Sequence, residues 1–191
     1  MVVVGITGTL GAGKGEVVTC LKKQGFAHFS ARDFIIGEIT RRGLPVNRDS
    51  TIIVANDLRT MHSPSYIIER LYAAALGKGQ NAVIESVRAV GEVDFLRNQA
   101  KIAGGNPFFL IAVDADPHVR YERIVERGSQ LDHVSYEKFL SDEAREMKSV
   151  DPTKQNIGEC VRLADFVVAN DGTRKQLAVQ VEKIVSEIVP K

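Results

Sequence analysis

Lys14 has the setting that says most about chemistry. It closes the run Gly8-Thr9-Leu10-Gly11-Ala12-Gly13-Lys14-Gly15, which follows the apolar segment Val2 to Thr7 without a break. Glycines at this spacing let a backbone turn several N–H groups toward one anion. A helix starting at the loop adds the positive end of its dipole, and Lys14 adds a full charge. Such a loop is a phosphate cradle, and a nucleoside triphosphate is its expected guest. Gly8, Gly11, Ala12, Gly13, Lys14, Gly15 and Glu16 are therefore the first candidate binding residues, and the spacing of Val17, Val18 and Leu21 supports the helix behind them. One position departs from the usual pattern. The Ser or Thr whose hydroxyl commonly ligates Mg²⁺ after the lysine is Gly15, followed by Glu16. Magnesium would then depend on phosphate oxygens, water and carboxylates placed elsewhere.

Further charged residues follow short apolar runs. Ser30-Ala31-Arg32-Asp33 comes after Ala27 to Phe29. Ser30 reads either as a helix cap or as a ligand contact, and the Asp33 carboxylate can orient metal-bound water or accept a proton from a hydroxyl. Val83-Ile84-Glu85-Ser86-Val87-Arg88 places a carboxylate and a guanidinium together at the next exit, and an Arg fork can meet two phosphate oxygens at once. Asp114 ends Leu110 to Val113 in the manner of a Walker B strand, whereas Asp116-Pro117 reads as a helix cap with Pro in the first turn. Arg120, Arg123 and Arg127 then recur at helical spacing, with Glu122 and Glu126 available to pair with them as a solvated face. Arg48 and Arg59 flank the apolar Ile52-Ile53-Val54-Leu58 stretch and are candidate clamps for an acceptor phosphate. His28, His62, His118 and His133 show no metal or triad spacing and receive no chemistry.

The elements that must position these residues alternate. Runs at Val2 to Thr7, Ala27 to Phe29, Ala82 to Glu85, Phe108 to Val113 and Phe166 to Ala169 are short and almost uniformly apolar, with helical patterns between them. That arrangement predicts an α/β, doubly wound fold with a five-stranded parallel sheet covered on both faces. Ligands of such sheets bind beyond the carboxyl ends of the strands, so Thr7, Ser30, Glu85, Asp114 and Asn170 are expected to ring one cleft. The interval 30–80 has helical periodicity with breaks at Gly43-Leu44-Pro45 and His62-Ser63-Pro64, and reads as an inserted helical lobe.

Gly-x-x-Gly-x-Gly-Lys-Gly resembles the loop of the adenylate kinase and nucleoside monophosphate kinase family of P-loop proteins. That resemblance implies a three-layer P-loop NTPase fold over 1–191, an acceptor lobe at 30–80 and a short lid at 128–145. Glu16 stands where the family usually has Thr. Asp33 falls where these kinases, and the related dephospho-CoA kinases, carry an Asp. Residues 85–88 look like the Asp-Gly-Phe-Pro-Arg segment with one residue absent, which implies that Glu85 organises magnesium-bound water and Arg88 grips the acceptor phosphate. Arg123 and Arg127 resemble the Arg-x-x-x-Arg element leading into the lid, the first by the donor base and the second by the phosphates. Arg145 would be the second lid arginine, or a salt-bridge partner in its acidic surroundings. Leu163 to Thr173 resembles a dephospho-CoA kinase segment that implies a donor-base position for Asn170 and Gly172. The chain is most similar in these features to archaeal adenylate-kinase-related proteins and to kinase-like domains joined to deoxycytidylate deaminases.

Composition fits these readings. The 191 residues are 44% hydrophobic, enough for one domain with a buried sheet. A formal net charge of +1 without a Lys/Arg block argues against a general nucleic-acid surface. Cys20 and Cys160 are the only cysteines, too far apart for a metal motif, and read as fillers in a reducing compartment. No apolar run reaches membrane length, so a cytoplasmic protein is expected. The expected activity is transfer of the γ-phosphoryl group of Mg-ATP to a nucleoside monophosphate. The alternatives are transfer to a ribose hydroxyl, as in dephospho-CoA kinases, and nucleotide sensing without turnover.

Overall fold

The computed structural model describes residues 1–128, 135–151 and 154–190, with the backbone alone at Arg48. Five strands form one sheet: β1 (Val3–Gly8), β2 (Ala27–Ser30), β3 (Ala82–Glu85), β4 (Phe108–Asp114) and β5 (Phe166–Ala169). Their order is β2-β3-β1-β4-β5, and all pairings are parallel. All six residues of β1 are buried because the strand runs through the middle of the sheet and both faces are covered. Successive side chains of a strand point to opposite faces. Val3 accordingly joins one apolar cluster, while Val2, Val4 and Ile6 join the other. Each fully buried Val, Leu or Ile contributes about 1.5–3 kcal/mol, which explains the nearly unbroken apolar strands.

The helices divide between those two clusters. On one face lie α1 (Lys14–Lys23) and α9 (Arg174–Ile188), contributing Val17, Leu21, Leu177 and Val181. On the other lie α2 (Ala31–Arg41), α3 (Arg48–Met61), α4 (Tyr66–Lys78), α5 (Val90–Lys101) and α8 (Ile157–Arg162). The arm beyond β4 is α6 (Pro117–Arg127) and α7 (Tyr136–Met147). Local sequence fixes several starts. The Ser30 hydroxyl accepts from Asp33 N, Asp116 accepts from His118 N with Pro117 in the first turn, and Thr173 forms a reciprocal box with Gln176.

The interval expected as a lobe is divided. Helix α4 lies on β2 and β3 and buries Ile67, Ile68, Leu71 and Ala75 there, so it is the crossover helix into β3. Only α2 and α3 remain to form a wall beside the sheet end, because α4 carries the broad apolar face a crossover requires. β1 has β3 on one side and β4 on the other, so the chain order reverses there and a crevice opens at the strands' carboxyl ends. Among the described residues, no helix is long and apolar enough to cross a membrane.

Candidate active site

The phosphate loop is held by its neighbours as well as shaped for an anion. Gly8 has φ 137°, and a Cβ there would sit 2.0 Å from the Val113 carbonyl oxygen of β4. Gly13 has φ 92°, and a Cβ there would sit 2.3 Å from Asn170 Nδ2. These positions exclude any side chain on conformational and steric grounds together. Thr9 Oγ1 donates to Asp114 Oδ1 at 2.6 Å, tying the loop to the end of β4. Lys14 Nζ donates to Gly8 O at 2.9 Å and Thr9 O at 2.7 Å, folded back over its own loop. Burial of that ammonium, and secondarily the Arg88 charge, lowers its pKa from 10.5 to about 7. Gly15 differs from the other loop glycines, since nothing lies within 4 Å of a Cβ built on it.

At the ends of β2 and β3 the structure brings His28, Ser30, Asp33, Glu85 and Arg88 to one cleft. His28 Nε2 and Glu85 Oε2 lie 2.9 Å apart, so the histidine holds one oxygen of the carboxylate that faces the loop. This partner was missed in the sequence because it depends on strand register: Ser30 lies beside Glu85, which puts His28 one tier below on the same face. Ser86 takes φ 72° to turn the chain out of β3, and its N–H and that of Val87 both donate to Ile6 O. A left-handed serine costs about 1 kcal/mol, a local strain at the exit that presents Arg88. Arg88 Nη1 donates to Glu146 Oε2 at 3.0 Å and Gln155 Oε1 at 2.9 Å.

Arg59 corrects the picture of a free clamp. It is 3% exposed, and its Nε and Nη2 both donate to Glu92 Oε1, at 3.2 and 2.9 Å. The other Glu92 oxygen accepts from Arg88 N at 2.7 Å and Ala89 N at 3.1 Å. Arg59 therefore ties α3 to the turn that carries Arg88, although it still borders the cleft and its buried Nη1 has no partner. The Arg48 side chain lies outside the described residues. Arg32 and Asp33 are exposed on the first turn of α2 and line the cleft.

On the opposite rim, Arg123 and Arg127 of α6 both line the cleft, and Arg123 Nη1 is buried without a partner. Arg120, one turn earlier, points inward. Its Nε donates to Ala115 O at 2.8 Å, Nη1 donates to Leu10 O at 3.2 Å, and the fork also meets the Glu143 carboxylate. This buried guanidinium joins the phosphate loop, the β4 exit and α7, and its spacing from Arg123 was the only signal of it in the sequence. Arg145 is not brought to the cleft. It pairs with Asp142 one turn back on α7, the salt-bridge alternative of its acidic surroundings. Of the lid expected at 128–145, residues 129–134 lie outside the described residues, and α7 returns with Tyr136 stacked on His118 at 4.6 Å between ring centres.

The loop after β5 completes the wall. Asn170 Nδ2 donates to Ala12 O at 2.8 Å, and Asp171 Oδ1 accepts from Asp116 N at 2.6 Å. Gly172 and Arg174 follow at the cleft edge, where Arg174 Nη2 meets Glu16 Oε1 at 3.1 Å. Two expected ring members are elsewhere. Thr7 is 1% exposed inside the sheet, and Asp114 is engaged by Thr9. Neither borders the cleft: β1 runs one residue past Thr7 before the loop begins, and the Asp114 carboxylate, at the last residue of β4, is turned to Thr9 and to Ala115 N.

The resulting cleft has a volume of about 1080 Å³ and runs from Gly11 and Lys14 to Ile35 and Ala55 between α2 and α3. That exceeds what a single small ligand usually fills. The glycine cradle and the unpartnered Arg123 Nη1 suit a polyphosphate. Asp33, Glu85 and Glu146 border the same space and suit a water-mediated magnesium ion, while no group of three metal-ligating side chains forms among the described residues.

A family model described as an AAA domain (AAA_18) matches residues 4–151. A UPF0200 protein of Thermococcus kodakarensis is 30% identical over 193 residues, covering 97% of both chains. A UPF0200 protein of Methanocaldococcus jannaschii is 30% identical over 197 residues, covering 99% of this chain and 91% of that one. Among solved structures, a putative kinase from Chloroflexus aurantiacus superposes with a TM-score of 0.62 at 18% identity, covering 98% and 97%. A shikimate kinase from Acinetobacter baumannii superposes at 0.61 with 14% identity, covering 100% and 96%. These structural likenesses show the fold, that of P-loop kinases. The chain belongs to the UPF0200 family and carries an AAA-type P-loop domain.

Proposed function

We propose that the protein is a nucleotide kinase that transfers the γ-phosphoryl group of Mg-ATP to a nucleoside monophosphate held between α2, α3 and the β3 exit. The observation that carries this reading is one continuous cleft with Lys14 at the donor end, the α2–α3 wall at the acceptor end, and Arg88 between them. Phosphoryl transfer needs mainly positioning and charge neutralisation. The loop N–H groups and Lys14 hold the donor phosphates, with the lysine leaving Gly8 O and Thr9 O for them. Arg123 and Arg127 meet the donor phosphates from α6, where both already line the cleft. Arg88 exchanges Glu146 for the acceptor phosphate, a swap of one anion for another. Magnesium, when bound, would neutralise charge on the donor phosphates, with Glu85 and Asp33 orienting its water. The acceptor oxygen bonds to the γ-phosphorus as the bond to the bridging oxygen breaks, and ADP leaves.

A second reading, transfer to a hydroxyl, has its own support. Arg59 is committed to Glu92, and Arg88 already has a carboxylate partner, so two of the guanidinium groups expected to clamp an acceptor phosphate are engaged elsewhere. Asp33 at the mouth would then act as the base. Steady-state kinetics over nucleoside monophosphates and hydroxyl acceptors, including dephospho-CoA, separate the two. With a monophosphate acceptor, Arg88→Ala should raise the acceptor KM about tenfold or more while Asp33→Asn acts mainly through magnesium. With a hydroxyl acceptor, Asp33→Asn should collapse kcat and Arg88→Ala should do little to KM.

A further inference from the structure

Helix α9 opens with two cations, Arg174 and Lys175, and has no acidic residue in its first turn. The positive end of a helix dipole disfavours cations there. Arg174 is nevertheless mounted firmly. Thr173 and Gln176 cap the helix reciprocally, and Asn170 and Asp171 fasten the preceding loop to Ala12 O and Asp116 N. From that fixed backbone position the guanidinium reaches the phosphate loop, where it meets Glu16 at 3.1 Å. Arg174 is 86% exposed and Glu16 43%, and a pair so solvated adds little to stability. Its position is the informative part, because both residues border the same cleft as Gly13 and Lys14.

Glu16 lies in the first turn of α1, among the N–H groups that face a bound phosphate chain. A polyphosphate there competes with the carboxylate for the nearest guanidinium, and it has the greater charge. We infer that Arg174 is a donor-polyphosphate residue, kept over the loop by Glu16 until a nucleotide takes its guanidinium. This rests on the loop's binding a nucleotide, but not on the identity of any acceptor or on turnover.

The test is calorimetric titration of the full chain with ATP and, separately, inorganic tripolyphosphate, for the wild type, Arg174→Ala, Glu16→Gln and the double variant. Arg174→Ala should weaken both probes about tenfold, the loss of one charge-assisted contact. The same substitution in the Glu16→Gln background should again cost about tenfold, since the contact is with phosphate and not only with Glu16. Equal melting temperatures should accompany these losses, because both side chains are solvated. The inference is overturned if Arg174→Ala changes neither probe. It is also overturned if the substitution weakens ATP but not tripolyphosphate, which would put the guanidinium on the base. A third contrary result is no effect of Arg174→Ala once Glu16 is neutral, which would make the arginine a mere counter-charge. A wild type that binds neither probe overturns it together with the nucleotide reading, whereas binding without phosphoryl transfer contradicts only the kinase proposal.

Discussion

Asn170 and Gly13 define the shape of the phosphate loop between them: the amide nitrogen that donates to Ala12 O lies 2.3 Å from where a Gly13 Cβ would stand. The loop after β5 thus braces the cradle directly. Replacing Asn170 with Ala leaves the buried Ala12 carbonyl without its partner, at a cost of about 1–3 kcal/mol. Melting should fall by several degrees, and nucleotide affinity should fall with it. Gly13→Ala should remove nucleotide binding more completely, because φ 92° and the Asn170 amide both oppose the added methyl. Titration calorimetry and thermal melts on the two variants check this.

Lys14 titrates unusually low, at about pH 7, because the closed loop takes its ammonium out of water. The unfolded chain holds this proton up to the ordinary value of 10.5, so between about pH 7 and 10.5 it binds more protons than the folded chain. Folding stability from this group therefore rises with pH through that window, and its penalty is fully present below it. Bound phosphate reverses the effect by favouring the charged form. Nucleotide binding within the window should take up close to one proton, read from calorimetry in two buffers of different ionisation enthalpy. Lys14→Met should abolish both that uptake and most of the affinity.

Glu92 is 0% exposed and satisfies Arg59 together with the backbone of Arg88 and Ala89. Truncation to Ala leaves a buried guanidinium uncompensated and two N–H groups unmade. The expected loss is about 3–5 kcal/mol, seen as a large fall in urea midpoint. Arg59→Met with Glu92→Gln should recover part of it, because the pair is removed together and Gln can still accept from the backbone.

Gly15 faces open space, so Gly15→Ser should fold and melt as the wild type does. It should also lower the magnesium concentration needed for half-maximal nucleotide binding, by supplying the hydroxyl that the loop lacks. A magnesium titration of nucleotide binding for the two proteins decides this.

The sheet was legible in the sequence to within a residue or so at each strand, because buried parallel strands leave unbroken apolar runs. The phosphate loop was equally plain, since its glycines and Lys14 all fall within the short segment from Gly8 to Gly15. What could not be read were partners set by register and packing. His28 reaches Glu85 through the β2–β3 register, and Glu92 finds Arg59 across 33 residues. Arg120 and Arg123 look alike in sequence, yet one is buried among carbonyls and Glu143 while the other faces the cleft. Only the rotation of α6 separates them. Arg145 was legible as either lid residue or salt bridge, and the neighbouring Asp142 took it.

The most direct measurement is transfer of labelled phosphate from γ-labelled ATP with magnesium to a panel of ribo- and deoxyribonucleoside monophosphates and dephospho-CoA, beside an acceptor-free control and Lys14→Ala. The account predicts a labelled nucleoside diphosphate with at least one monophosphate, dependent on Lys14 and absent without acceptor. Tight ATP binding with no labelled product from any acceptor would contradict it and leave a protein that binds nucleotide without turnover.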